Sequence, residues 1–356
     1  MAALLIGGAL AALVASGTPH LSRSAFRPAL VGAVLLAGLA TACGSSNGDA
    51  SEAQSVKRVG LMHVGTDHVP PSLDTLKARL DELGWTEGQN LRLMWRNLEP
   101  DEAPEQAREF VRERVDLIVA FEDQSIDAAE SATMTVLPRI PIVFLHPSDP
   151  LRDGLTKSLS RPGGNLTGVF GPRDVVAKQL EVYEALVPQL RRVLTLVDPN
   201  DPRTARTLKD YKSAAAHLQR PLELDVREAT NAADLRRIFR SLRPGEVDGA
   251  FLLSNNLRQN HSALTVKLAK RAHIPVQGNR KEWVEQGALF SYGVDLGPLG
   301  REGARYVDAI LRGTTLADLP VKELPKIDFA LNLATASRLG IKPPQEMIIR
   351  ADEVYR

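Results

Sequence analysis

The run Val115-Asp116-Leu117-Ile118-Val119-Ala120-Phe121 is followed by Glu122-Asp123-Gln124-Ser125 and then by a helical pattern over 125–134. Seven mostly apolar residues closed by a polar loop read as a strand buried on both faces. The same unit stands on either side of it. Upstream, Val59-Gly60-Leu61-Met62-His63-Val64 predicts a strand, and Leu73, Leu76, Leu80 and Leu83 line one face of a helix that Gly84 stops. A strand over 91–95 and a helix over 103–114 lead back to the central run, and Pro141-Ile142-Val143-Phe144-Leu145 predicts the next strand. Short apolar strands alternating with helices indicate a parallel sheet covered on both faces.

The pattern then starts again. Val176, Leu180, Tyr183 and Val187 share a helix face, and strands are expected over 192–197, 222–226, 248–253, 274–276, 288–292 and 329–331. Helices are expected over 204–218, 232–241, 257–272, 299–311 and 334–339. No repeat of solenoid length is present. Two βα runs of similar size predict an α/β protein of two Rossmann-like lobes with parallel sheets. Ligands of such sheets sit beyond the carboxyl ends of the strands, so two lobes can share one cleft.

Length and charge agree with this. The chain has 356 residues, 44 Lys+Arg against 43 Asp+Glu, and 44% hydrophobic residues, an ordinary globular composition long enough for two cores. A net charge of +1 provides no field for nucleic acid. One cysteine excludes a disulfide framework and a cysteine-rich zinc site.

That cysteine lies in a distinct N-terminal segment. Residues 1–43 contain Arg23 and Arg27 but no acidic residue, and hold two apolar runs, 2–15 and 29–42, each short of a comfortable bilayer span. The second run has basic residues before it and ends Leu39-Ala40-Thr41-Ala42-Cys43-Gly44. This ending resembles a bacterial lipoprotein signal, in which the cysteine is lipidated and the chain is cut just before it; Ala40 stands where leucine is usual. The first run has no basic residue before it, which implies either a long leader or a synthesis start nearer Leu21. Residues 44–56, rich in Gly, Ser and Ala, form a solvated tether.

The loops that follow the strands hold the candidate ligand contacts. They are Thr66 and Asp67 after the first strand, Gln124 and Ser125 after the third, and Ser148 and Asp149 after the fourth. The second half adds Asn255, Trp283 and Asp295. Backbone N–H groups at helix starts suit a carboxylate, and carboxylates suit an ammonium. Each such residue could equally cap a helix. Trp283 and Tyr292 are candidate stacking platforms, and Tyr292 could equally be core.

Several stretches together carry a resemblance. They are Ile140-Pro-Ile-Val-Phe-Leu-His-Pro-Ser-Asp-Pro150, Ser158-Leu-Ser-Arg-Pro-Gly-Gly-Asn-Leu-Thr-Gly168 and Leu289-Phe-Ser-Tyr-Gly293. Arg305-Tyr-Val-Asp-Ala-Ile-Leu-Arg-Gly313, Leu331-Asn-Leu-Ala-Thr-Ala336 and Arg350-Ala-Asp-Glu-Val354 follow in order. The chain resembles the ABC transporter substrate-binding proteins of the tryptophan/tyrosine type from about Val59 to its end. The resemblance implies a type I periplasmic-binding-protein fold with three hinge segments, near Gly168, Asp295 and Val321. Lobe I would be 57–168 plus 296–322, and lobe II 169–295 plus 323–356. The glycines of Gly163-Gly164-Asn165-Leu166-Thr167-Gly168 suit a hinge. Thr66-Asp67-His68 replaces the family's usual small Ser/Ala-rich stretch, which leaves the ligand's identity open.

An enzyme is the rival class. The chain has no Gly-x-Gly-x-x-Gly after its first strand, no phosphate-binding loop, no His-Glu-x-x-His and no Gly-x-Ser-x-Gly. His63, His68 and His146 are the only candidates for a metal site, and no metal or cofactor is expected. The expectation is therefore a monomeric, lipid-anchored solute-binding protein of the cell envelope. It would capture an amino acid or similar small polar or aromatic molecule by hinge closure and present it to ABC permease and ATPase subunits. Docking on a receptor as a ligand sensor would use the same cleft.

Overall fold

A computed structural model describes residues 55–65, 69–147, 149–172 and 175–356. The expectations at Cys43, Thr66, Asp67, His68 and Ser148, with the leader and most of the tether, lie outside them. The elements expected from the sequence are present in the order expected, with further short ones between and after them. They are β1 (Lys57–Val64), α1 (Pro71–Glu82), β2 (Leu91–Leu98), α2 (Ala103–Arg112), β3 (Leu117–Ala120), α3 (Asp123–Thr133), β4 (Ile142–Leu145) and β5 (Leu166–Phe170). Next come α4 (Val175–Leu186), β6 (Arg192–Val197), α5 (Thr204–Ala216), β7 (Glu223–Glu228), α6 (Ala232–Ser241), β8 (Gly249–Leu252), α7 (Asn255–Asn260), α8 (Ser262–Arg271), β9 (Gln277–Gly278), α9 (Lys281–Glu285) and β10 (Phe290–Val294). The chain closes with α10 (Leu296–Leu311), β11 (Lys322–Glu323), β12 (Ile327–Asn332), α11 (Leu333–Arg338), α12 (Gln345–Arg350) and β13 (Glu353–Tyr355). Among the described residues, no helix is long and apolar enough to cross a membrane.

Lobe I is a six-stranded parallel sheet in the order β11-β5-β4-β3-β1-β2. Its central strands are apolar without alternation because both faces are covered: every residue of β3 and β4 is fully buried. One face packs under α1 and α10, where Leu73, Leu76 and Leu80 meet Leu299, Ala304 and Val307. Fully burying one such leucine stabilises the fold by roughly 1.5–3 kcal/mol. The two helices approach closely at Gly300, where a Cβ would fall on the Ser72 carbonyl and the Thr75 hydroxyl. The other face packs under α2 and α3 through Phe110, Ile126 and Ala129.

Lobe II combines a three-stranded sheet, β7-β6-β8, with a four-stranded one, β13-β12-β10-β9. A parallel bridge between Ala250 and Val276 joins them. The pairing is parallel except between β10 and β12. The two lobes carry the α/β, type I periplasmic-binding-protein architecture expected from the sequence.

The chain passes between the sheets after β5, between β10 and α10, and between β11 and β12. Two expected positions shift accordingly. Gly168 lies inside β5 of the first sheet rather than at a crossing, and residues 169 and 170 continue that strand. Glycine is required there for packing: a Cβ would fall on the Phe144 carbonyl of the neighbouring strand. Val321 is buried in the lobe I core just before β11, so the third crossing comes after Glu323. Asp295 does stand at a crossing. It caps α10 by accepting from Gly297 N at 3.0 Å and pairs with Lys326 at 2.5 Å, tying the second crossing to the third.

The sequence pattern missed β5, whose Leu-Thr-Gly-Val-Phe reads as a turn next to two glycines. It also placed one strand at 274–276, where β9 lies at 277–278, and one helix over 257–272, which breaks at His261 into α7 and α8.

Candidate functional site

The two lobes face a common cavity of about 230 Å³, lined largely from segments that follow their strands. Lobe I brings Glu122 and Asp123 from the end of β3, and His146, Pro147, Asp149 and Arg152 from the end of β4. Lobe II brings Gln179, Arg206, Thr207, Asp210 and Tyr211 from α4 and α5, Asn255, Arg258 and Gln259 from α7, and Asn279 and Arg280 from the end of β9. Pro172, Val175, Val176, Val294 and Leu296, at and beside the crossings, form an apolar side.

The lobe I wall is held by its own backbone. Glu122 is the N-cap of α3: its Oε1 accepts from Ser125 N at 3.0 Å and from Val64 N at 3.1 Å, while Ser125 Oγ accepts from Glu122 N at 3.2 Å. One carboxylate thus joins the ends of β1 and β3. Its other oxygen, Oε2, has no hydrogen-bond partner among the described residues and faces His63 Nε2 at 3.7 Å. Burial pushes the Glu122 carboxyl up to about 8, against the pull of its hydrogen bonds. Burial likewise lowers His63 to about 4, although a bond between its Nδ1 and Asn97 Oδ1 (2.9 Å) works the other way. His146, whose Nε2 is buried without a partner, falls to about 3 by burial, with Arg280 adding to the effect. At neutral pH all three groups are therefore largely uncharged.

Lobe II presents charge. Arg280 is 8% exposed; its guanidinium donates to Gln259 Oε1 at 2.9 Å, and its Nε has no partner. Burial pulls Arg280 down to about 10, and it stays protonated at neutral pH; Glu282 favours the charge and Arg258 opposes it. No hydrogen bond or ion pair reaches the Arg258 side chain from the described residues, and its Nε is buried. The loops beneath are cross-braced by side chains. Asn256 donates to Asp198 Oδ2 at 2.6 Å, and Asn255 N donates to Asp201 at 3.1 Å. Tyr211 donates to Gln179 Oε1 at 2.7 Å and stacks on Phe251 at 5.0 Å.

At the rim the lobes are ion-paired. Arg203, the N-cap residue of α5 in lobe II, meets both carboxylate oxygens of Asp127 in lobe I at 3.0 and 3.1 Å. Asp123 and Asp153 approach its Nε at 3.6 and 3.5 Å. Arg206 pairs with Asp153, and Arg152 with Asp210 at 2.9 Å. These acids hold the Arg203 guanidinium above its ordinary value despite burial.

Of the residues expected from the sequence, Asp149 and Asn255 line the cavity. Asp149 accepts from Leu151 N and Arg152 N, both at 3.1 Å. Ser125 is buried as half of the α3 cap, and Gln124 is half-buried off the cavity. Asp295 is committed to Gly297 and Lys326. Trp283 is 1% exposed, packed in the lobe II core over Gly278, and is no stacking platform; the aromatic lining residue is Tyr211. Tyr292 packs against Phe329. Arg258 and Arg280, which line the cavity, were not among the expected residues. Among the described residues, no group of three or more His, Cys, Asp or Glu is placed to hold a metal.

Comparison with known proteins bears on this cleft. The family model described as ABC transporter substrate binding protein matches residues 62–355. A Tyrosine-binding protein of Clostridioides difficile (strain R20291) is 25% identical over 329 residues, 88% of this chain and 91% of that one. The crystal structure of a conserved domain protein from Vibrio cholerae is 27% identical with a TM-score of 0.75, over 84% of this chain and all of that one. A crystal structure of an ABC domain in complex with L-Trp from Streptococcus pneumonia has a TM-score of 0.72 at 22% identity, again over 84% and 100% of the two chains.

Proposed function

The chain belongs to the ABC transporter substrate-binding protein family, whose members bind solutes rather than transform them, and from that premise we propose a capture cycle for it. An amino acid or similarly small polar molecule enters between the lobes, contacts residues of both, and holds the closed arrangement by interacting with it more strongly than with the open one. The crossings that follow β5, at 294–296 and at 324–326 are the hinges. The ligand passes to a permease driven by an ATPase subunit. The chain acts as a monomer outside the cytoplasm, anchored by a lipid on Cys43 after removal of residues 1–42.

The observation that carries this reading is the cavity, lined by residues of both lobes and closed at its rim by Arg203 and its acidic partners. At about 230 Å³ it lies below the roughly 300–1,000 Å³ of drug-sized pockets, which favours a ligand of amino-acid size. The names of the C. difficile relative and the S. pneumonia complex point to the same size class.

A panel of amino acids and small organic acids added to the purified chain tests capture by thermal shift. A ligand present at 100 times its Kd stabilises the closed form by about 2.7 kcal/mol. A panel without a single shift removes the reading. The anchor is tested in cells by radiolabelled fatty acid, which should label the chain but not its Cys43→Ala variant.

A further inference from the structure

The edge of lobe I away from the cavity exposes apolar side chains where the chain enters the fold. The cavity is lined from segments that follow β3 and β4, at the carboxyl ends of these strands. Their opposite ends stand in a row, since Val59 pairs with Leu117 in β3, and Ile118 with Ile142 in β4. Val56, just before β1, and the loop between α3 and β4 therefore share one edge, their strands two spacings or about 10 Å apart. In that loop Leu137 is 91% exposed and Met134 57%, and Val56 is 47% exposed. Leu137 is the most open large hydrophobic side chain among the described residues. Basic residues flank this patch. Asn165 donates to Thr133 Oγ1 at 2.9 Å and to the Ile140 carbonyl at 2.7 Å, which draws the turn before β5 against the same loop. Arg139, Lys157 and Arg161 of these two segments are exposed and form no ion pair among the described residues. The edge is not uniformly basic: Asp116 pairs with Lys57 at 3.6 Å, and Glu130 lies half-buried near Arg139.

A single exposed leucine is ordinary on a protein surface. This one is distinguished by its place. The lipid proposed on Cys43 is attached about a dozen residues before Ser55, the first described residue. An extended chain spans at most about 3.6 Å per residue, so that anchor keeps this edge within on the order of 40 Å of a bilayer. Apolar side chains flanked by Lys and Arg suit an interface, the first entering the acyl boundary and the second meeting lipid phosphates. We infer that the lobe I edge formed by Val56, Met134 and Leu137 docks on the phospholipid bilayer, with Arg139, Lys157 and Arg161 against the headgroups. The inference rests on the anchor proposed above. In this posture the cleft points away from the bilayer, towards incoming ligand. Ile349 supplies the contrast: it is 73% exposed on α12 of lobe II, far along the chain from the anchor.

The lipidated chain, purified in detergent and returned to vesicles of phosphatidylethanolamine and phosphatidylglycerol, tests this. Cys43 is the only cysteine and lipidation blocks its thiol, so Thr135→Cys or Ile349→Cys takes a fluorescent label at one place. The label at 135, between Met134 and Leu137, should lose fluorescence when the lipid acyl chains carry bromine, and the label at 349 should not. Adding Met134→Glu and Leu137→Glu, both at exposed positions, should abolish the loss at 135 while the chain still floats with the vesicles and keeps its circular dichroism. Persistence of the loss in that variant overturns the inference, because the tether alone then brings the edge close. Equal behaviour of the labels at 135 and 349 also overturns it. So does a dimer cross-linked through position 135, which places a second copy on the patch. In these outcomes the anchor stands. A chain that does not float with the vesicles removes the anchor, and the inference falls with it.

Discussion

Lobe I and lobe II meet at the same cavity with the same architecture behind them, yet the groups that burial discharges lie on one side and a buried guanidinium that keeps its charge lies on the other. The reason is in the ionisation chemistry of the residues each lobe sends there. Burial removes the charge of a carboxyl or an imidazole, because their ordinary values lie within a few units of neutrality. Glu122, His63 and His146 have all moved that way. Burial cannot discharge an arginine, whose ordinary value is too high, and Arg280 keeps its proton even after falling to about 10. Equal burial thus discharges these groups of lobe I and leaves the guanidinium of lobe II charged.

The sharpest way to break this comparison is to titrate lobe I. Glu122 is raised in the folded chain, so the folded state holds more protons than the unfolded one between about pH 4.5 and 8, and stability falls as pH rises through that window. His63 and His146 are lowered from 6.5 to about 4 and 3, so their contribution is lost as pH falls below 6.5. Two histidines outweigh one glutamate on the acid side, which places the maximum of their combined contribution near pH 6.5. Glu122→Gln mimics the protonated acid and keeps an oxygen for Val64 and Ser125. Denaturant unfolding should show its advantage over the parent chain growing by up to about 1.4 kcal/mol per pH unit from 4.5 to 8. A constant difference would mean that Glu122 is charged in the folded chain.

Lobe II should respond in the opposite sense. Arg280→Met removes a buried charge at the expense of one hydrogen bond to Gln259. The ligand-free chain should become more stable by on the order of 1 kcal/mol by urea unfolding while losing ligand affinity. A less stable ligand-free variant would show that Arg280 is compensated before the ligand arrives. The rim comes next. Arg203→Ala breaks pairs between the lobes while removing no residue of the cavity lining. It should weaken ligand binding by about 1 kcal/mol, roughly five- to tenfold, and make the free chain more open by small-angle scattering. Unchanged scattering and affinity would take the rim out of closure. The smallest effect on binding belongs to Trp283→Phe. It alters the lobe II core, so calorimetry should find affinity changed by less than about twofold, against about 1 kcal/mol or more of lost stability.

Much of the fold was legible because its signals are local. Continuous runs such as Leu117–Ala120 are buried on both faces, and the leucines of α1 fall where helical spacing puts them. β5 was not legible, because its fit depends on Gly168 lying against the Phe144 carbonyl from another strand. The cleft was legible as a set of loops and much less as a set of residues. Asp149 and Asn255 lie on it, whereas Ser125 and Trp283 are the residue types most easily turned to capping and core packing. Arg258 and Arg280 follow strand ends, which marked their loops. Nothing local in a helical arginine says that no carboxylate will meet it, since that depends on what the other lobe brings.

The threading of the chain has a consequence for the order in which the molecule can be assembled. α1 is complete at residue 82, but its packing partner α10 begins at residue 296, and the strand that finishes the lobe I sheet lies at 322–323. As the chain emerges from its N-terminus, the α1 face of lobe I stays uncovered until most of lobe II has appeared, and lobe II in turn waits for β12 and β13. Neither half can close early around its own core. Contacts this distant in sequence make for slow folding, and neither lobe has a complete core until the segments after residue 296 are delivered.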